Sequence, residues 1–136
     1  MEMELQKVLK ELITYPTEAN WFEFKVNWYE PNGIGEYISS LANAAAMGGR
    51  ECGYLVWGVD NDSHEIVGTS FNYRTTVRNE PLEHYLARQI VPDNSFSFHE
   101  IMIEGKRVVV LIVSAANKIP TGFAGNRYMR IGSSKG

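Results

Sequence analysis

Three carboxylates and one lysine stand at intervals that suit phosphodiester chemistry. Glu18, Glu23 and Lys25 fall within the stretch EANWFEFK (18–25), and Asp60 closes the apolar run GYLVWGVD (53–60). Side chains on a strand alternate with a period of two, so Glu23 and Lys25 share one face of the segment WFEFKV. Glu18 lies just before it, where Pro16 and Thr17 suggest a turn. If the two strands run side by side, Glu18, Glu23 and Asp60 converge as three hard oxygen ligands, the donor set for magnesium or manganese. Such an ion activates water and stabilises charge on a phosphodiester while Lys25 neutralises the phosphate. The same spacing also fits a surface ion pair between Glu23 and Lys25, contributing about 0–1 kcal/mol, with Asp60 as a turn residue.

A second set of residues lies in the later part of the chain: Arg74, Arg78, Lys106, Arg107, Lys118, Arg127 and Arg130, interleaved with Tyr73, Phe123 and Tyr128. Arginines beside aromatics suit phosphate contact and base stacking. The formal charge of −3 conceals this set, because residues 1–65 carry eleven acidic against four basic side chains and residues 66–136 five against nine. A phosphate backbone responds to the local field more than to the total, provided the fold gathers those residues on one face.

The elements that must position these residues can be read from periodicity. Leu5, Val8, Leu9, Leu12 and Ile13 predict a one-faced helix ending before Pro16, and WFEFKV predicts a strand with one apolar face. After the turn-rich NWYEPNG, the stripe Ile34, Tyr37, Ile38, Leu41, Ala42, Ala45 predicts a helix over 34–49, stopped at Gly48–Gly49. GYLVWGVD reads as a buried strand that forms a hairpin with EIVG (65–68) across an acidic tip, and EPLEHYLARQIV (80–91) reads as a helix. SFSFHEIMI, the turn at 104–106 and RVVVLIVSA form the clearest hairpin, and NRYMRIGSS predicts one last strand carrying arginines at the surface. Mixed helices and strands with dominant antiparallel hairpins predict an α+β fold, a mixed and largely antiparallel sheet with helices packed on it.

Length and composition fit one domain over 1–136, since 44% apolar and 12% aromatic residues can fill a single core. The longest apolar run, VVVLIV, is far short of a membrane span, and MEMELQKVLK is acidic where a secretory signal would be basic, so the expectation is a cytoplasmic protein. The lone Cys52 excludes an internal disulfide. Other chemistries fail on pattern. There is no phosphate-binding G-x-x-x-x-G-K-[ST] run. GIGEYI has Ile38 where a dinucleotide fingerprint needs glycine. His64, His84 and His99 have no zinc spacing, and no G-x-S-x-G elbow occurs.

Taken in order, EANWFEFK, ISSLANAAAMGG, GYLVWGVDND with EIVG, and NRYMRIGSS resemble the AlbA-like domain of the Schlafen family over nearly the whole chain. In bacteria the resemblance implies an AlbA-like, DNA-binding N-terminal module of longer proteins described as transcriptional regulators or divergent AAA-type ATPases. In the vertebrate Schlafens that cut RNA, two glutamates and a later aspartate form a metal-dependent nuclease site, and these match Glu18, Glu23 and Asp60. Those enzymes use two lobes in a horseshoe, so a single lobe would need a second copy for a similar groove. The resulting expectation is a nucleic-acid-binding module, binding DNA or RNA through Arg74, Arg78, Arg107, Lys118, Arg127, Tyr128 and Arg130. The alternatives are a metal-dependent endoribonuclease or endonuclease using Glu18, Glu23, Lys25 and Asp60, and a protein-interaction module.

Overall fold

The computed structural model describes residues 2–16, 19–117 and 119–129, and the backbone of 130–131 and 134–135. Apolar alternation in FEFK makes β1 (Phe22–Lys25), which pairs in parallel with β2 (Cys52–Trp57). A parallel pair needs a long crossover, and α2 (Pro31–Met47) supplies it. This helix starts three residues before the periodicity predicts. Pro31 occupies its first turn, where a missing N–H costs nothing, and the Glu30 side chain accepts from the Gly33 N–H at 3.1 Å. It ends at Met47, and Gly49 takes the left-handed conformation with φ 69°.

β6 (Phe96–Ile103) and β7 (Lys106–Ser114) form the predicted hairpin, and β7 pairs antiparallel with β2. The sheet order is β1-β2-β7-β6, so β1 and β6 are its edges. With one parallel and two antiparallel pairs, the expected mixed and largely antiparallel α+β architecture is the one observed.

Both faces of the sheet are covered. On one, α1 (Glu2–Leu12) inserts Leu5, Leu9 and Leu12 over Phe22, Phe24, Val56, Ile101 and Val110. Each buried leucine contributes about 1.5–3 kcal/mol relative to exposure. On the other, Ile34, Ile38 and Leu41 of α2 meet Leu55, Trp57, Val109 and Leu111. The chain from 69 onward completes this second layer with two aromatic stacks, Phe71 on Trp57 at 4.3 Å and Tyr73 on Phe98 at 5.2 Å. It continues through the small hairpin β3 (Thr76–Val77) and β4 (Glu80–Pro81) into α3 (Leu82–Ala87).

Three expectations are corrected here. EIVG is not a strand, because its pairing reduces to a single bridge between Val59 and Ile66. The helix expected over 80–91 is only six residues long, since Ile90–Val91 leaves it as β5 to pair with β8 (Gly122–Phe123). NRYMRIGSS is broken rather than continuous: β9 (Asn126–Arg127) pairs with β8, and β10 (Arg130–Ile131) pairs with β11 (Ser134–Lys135).

Candidate functional site

The condition set for the acidic cluster, that the two strands be neighbours, holds for β1 and β2. Glu23 lies opposite Leu55 and Lys25 opposite Trp57, so Asp60, three residues past Trp57, follows the strand end that carries Lys25. Glu23 faces the α2 side and is only 4% exposed, so the ion pair it makes with Lys25 is partly buried rather than on the surface. The Lys25 Nζ lies 3.9 Å from its Oε2. The same ammonium sits 5.1 Å from the Trp28 ring centroid and 5.3 Å from that of Tyr37, a cation held against two π faces. Trp28 is fixed in turn by the Trp57 Nε1–H, which donates to its carbonyl at 2.7 Å. Lys25 thus offsets a buried carboxylate that would be costly if left alone.

Asp60 has a local task. Its Oδ1 accepts the backbone N–H groups of Asp62 at 2.9 Å and Ser63 at 2.8 Å, closing the turn that follows β2. Those two bonds, Ser63's first, hold its carboxyl below the usual value of 3.8. A depressed folded-state pKa gives a stabilising contribution that is complete above the ordinary value and is lost as pH falls through the lowered one. Asp60→Asn keeps an acceptor oxygen without the titration. The variant is expected to lose less stability than the wild type as pH falls through and below the ordinary carboxylate range, measured as urea midpoints along an acidic pH series. Equal losses would mean that the turn is indifferent to the charge.

Glu18 lies outside the described residues. Among the described residues, no three histidine, cysteine or acidic side chains are grouped so as to hold a metal. Glu23 and Asp60 do offer the carboxylate oxygens that magnesium or manganese takes.

The arginine region is built on a buried polar clamp. Ser39 and Asn43, one turn apart on α2, are 0% and 2% exposed. Ser39 Oγ donates to the Thr121 carbonyl at 2.7 Å and accepts from the Tyr128 N–H at 3.0 Å. Asn43 Nδ2 donates to the carbonyls of Thr121 at 3.0 Å and Tyr128 at 2.9 Å, and its Oδ1 accepts the Thr121 N–H at 2.7 Å. Both ends of the β8–β9 hairpin are therefore tied to one helix, and Phe123 packs directly over Gly35. At the tip, Ala124 and Gly125 have positive φ, and Asn126 and Arg127 stand exposed beside them.

The other arginines differ in their engagement. Arg74 is exposed, with its guanidinium 4.7 Å from the Tyr73 ring, and Arg78 is exposed at the β3–β4 turn. Arg107 is committed within the fold, since its Nε donates to Glu100 at 2.8 Å and its Nη1 to the Thr69 carbonyl at 3.1 Å. Lys118 and the Arg130 side chain lie outside the described residues. The stacking role expected of Tyr73 and Phe123 is corrected, because they are 7% and 2% exposed core residues. Tyr128 is half-buried against the same core.

Residue types and spacing left out Trp28, Ser39 and Asn43, which help hold these two regions together, and read Tyr37 only as part of the helix stripe. For Ser39 and Asn43 a signal exists, two polar residues at i and i+4 on a helix face otherwise filled by small and apolar side chains.

A mixed sheet covered on both faces, with a parallel β1–α2–β2 unit, an acid and lysine on its edge strand and an arginine hairpin strapped to the crossover helix, defines a small α+β module. The family profile described as Schlafen, AlbA_2 matches residues 18–136, and the chain belongs to that family. The chain is also similar in fold to the N-terminal domain of a RecG-related protein from Nitrosomonas europaea, solved by NMR in solution. That similarity has 24% identity and a TM-score of 0.53, and covers 94% of this chain and 88% of that one. The crystal structure of the DIP2311 protein from Corynebacterium diphtheriae is similar at 15% identity and a TM-score of 0.54. There the match covers 98% of this chain but only 26% of that one, so this chain spans about a quarter of it. No curated protein sequence matches this chain. Among the described residues, no helix is long and apolar enough to cross a membrane.

Proposed function

We propose that this domain is a nucleic-acid-binding module acting in the cytoplasm, and that it serves a larger regulator-like protein whose further domains follow it. One observation carries the reading. Buried hydrogen bonds from Ser39 and Asn43 hold the β8–β9 hairpin against α2 while its Arg127 stands in solvent. An arginine on a preorganised hairpin meets a phosphate without the backbone-ordering cost of a free loop. The family, and the relation of the Nitrosomonas protein to the ATP-dependent DNA helicase RecG from which it is named, are in keeping with this role. Arg74 and Arg78, and the Lys118 and Arg130 positions, would extend the contact, and a second copy of the domain would complete a groove around a duplex. Fluorescence anisotropy with labelled duplex DNA and transfer RNA tests the reading. Affinity is expected to fall by about tenfold or more between roughly 50 and 200 mM salt. Absent or salt-insensitive binding refutes it.

The burial of Glu23 against Lys25, on the strand beside the one that leads to Asp60, favours a second reading as a divalent-metal nuclease. Glu18, Glu23 and Asp60 would hold magnesium or manganese, which supplies an activated water when bound. Lys25, steered by Trp28 and Tyr37, would contact the phosphate. Labelled transfer RNA and DNA incubated with manganese should be cut by the wild type and spared by Glu23→Ala with retained circular dichroism. Equal products from both proteins would exclude this site.

A further inference from the structure

Among the described residues no strand pairs with the outer edge of β6, which is eight residues long and carries Phe96, Phe98, Ile101, Met102 and Ile103, the kind of strand that recruits another strand. Its outward-facing groups can be identified from two independent bonds. The Ser95 carbonyl, just before β6, accepts from Ser114 at the end of β7 and so faces inward. Met102 faces outward, because its N–H donates to Glu2 Oε2 at 3.1 Å and its carbonyl accepts from Gln6 Nε2 at 2.6 Å. Alternation then turns Phe96, Phe98, Glu100 and Met102 outward. Glu2 and Gln6 are one turn apart on α1, and the leucines of that helix lock it onto the sheet beside β6. α1 also precedes the residues matched by the family profile, which begin at 18.

We propose that α1 is an edge guard, and that its Glu2–Gln6 pair keeps β6 from pairing with β6 of a second copy of this chain. The geometry of such pairing gives the reason. Two identical antiparallel edges can satisfy their outward groups in a two-fold register with Phe98 opposite Glu100 and His99 at the axis. Extending that register outward sets Met102 against Phe96. With Met102 already occupied, only the two central reciprocal pairs remain, about four hydrogen bonds. With Met102 released, the ladder doubles to about eight. Each bond contributes only about 0.5–1.5 kcal/mol net against the cost of association, so four bonds hold two copies weakly and the doubled ladder holds them markedly more tightly.

The full chain tests this directly by sedimentation velocity across a concentration series. Glu2→Ala with Gln6→Ala is expected to strengthen self-association at least tenfold over wild type and to speed exchange of the Met102 amide at low concentration. Both positions are at the surface and the leucine anchors are untouched, so the fold is retained. Glu2→Gln keeps an acceptor and should behave as wild type, whereas Gln6→Glu turns a carboxylate toward the Met102 carbonyl and should associate. Adding Glu100→Pro removes an outward N–H together with the Arg107 contact, leaves the inward ladder intact and should abolish the gained association, whereas Glu100→Ala loses only that contact and should keep it. The proposal is overturned if the double alanine variant associates no more than wild type. It is equally overturned if the gained association survives Glu100→Pro, or if the wild type already associates in a manner that Glu100→Pro alone removes.

Discussion

Gly35→Ala is expected to destabilise the domain by about 1–2 kcal/mol net, lowering Tm by roughly 5 °C, although glycine to alanine within a helix ordinarily gains about 1 kcal/mol. The reason is space. A Cβ at residue 35 would lie 2.2 Å from the Phe123 ring and under 2.5 Å from two more of its atoms. Phe123 is 2% exposed and sits in β8 between β5 and β9, so the ring has nowhere to retreat without breaking a strand pairing. Overpacking of this kind costs about 1–3 kcal/mol and occasionally more, and here it must also cancel the gain in helix propensity. Thermal and urea denaturation measure the outcome. A variant as stable as wild type would mean that the hairpin is not seated on α2 in the way described. Loss of nucleic-acid affinity should accompany the loss of stability, because Arg127 rides on the same hairpin.

Reversing Arg127 and Arg130 together to glutamate is expected to weaken nucleic-acid binding by about 30-fold or more near 0.15 M salt. The slope of log affinity against log salt should shrink by about 2. Each phosphate contact contributes about 0.9 to that slope for a duplex, which amounts to about fivefold in affinity per contact at this salt. Reversal adds repulsion on top of the lost contact. Arg127 is exposed and has no ion-pair partner among the described residues, so Arg127→Glu alone should leave Tm unchanged while costing about fivefold in affinity. Arg88→Glu serves as a contrast. Its guanidinium is already bound to Glu80 at 3.0 Å and 3.2 Å, so the charge change should affect α3 rather than affinity. Equal binding by the double reversal and the wild type would remove the hairpin from the interface.

Where local periodicity was strong and unopposed, it predicted the fold. The leucine stripe of α1, the alternation of β1 and the β6–β7 hairpin follow from it. Where it failed, a distant segment had taken the backbone. Leu82, Tyr85, Leu86, Gln89 and Ile90 continue a helical stripe, yet Ile90 pairs with Phe123 and Gln89 gives its carbonyl to Ala124. NRYMRIGSS alternates like a strand, but Ser39 and Asn43 claim the N–H and carbonyl of Tyr128 that a neighbouring strand would use. The stacking assignment of Tyr73 and Phe123 failed for a related reason, since alternation orders side chains on a strand without telling which layer will bury them. For the acids, convergence requires β1 and β2 to be neighbours, and they are. The aromatic seat of Lys25 was not legible, because Trp28 reaches it from a loop and Tyr37 from a helix.

The clamp on α2 joins residues 78 to 89 positions apart in the chain. During synthesis on the ribosome, α2 emerges with a serine and an asparagine on its inner stripe and nothing yet made to satisfy them. They wait until residue 128 has cleared the exit tunnel. The arginine hairpin can therefore seat only once residue 128 is made, and a nascent chain gains its charged finger and satisfies these two helix side chains in one late event.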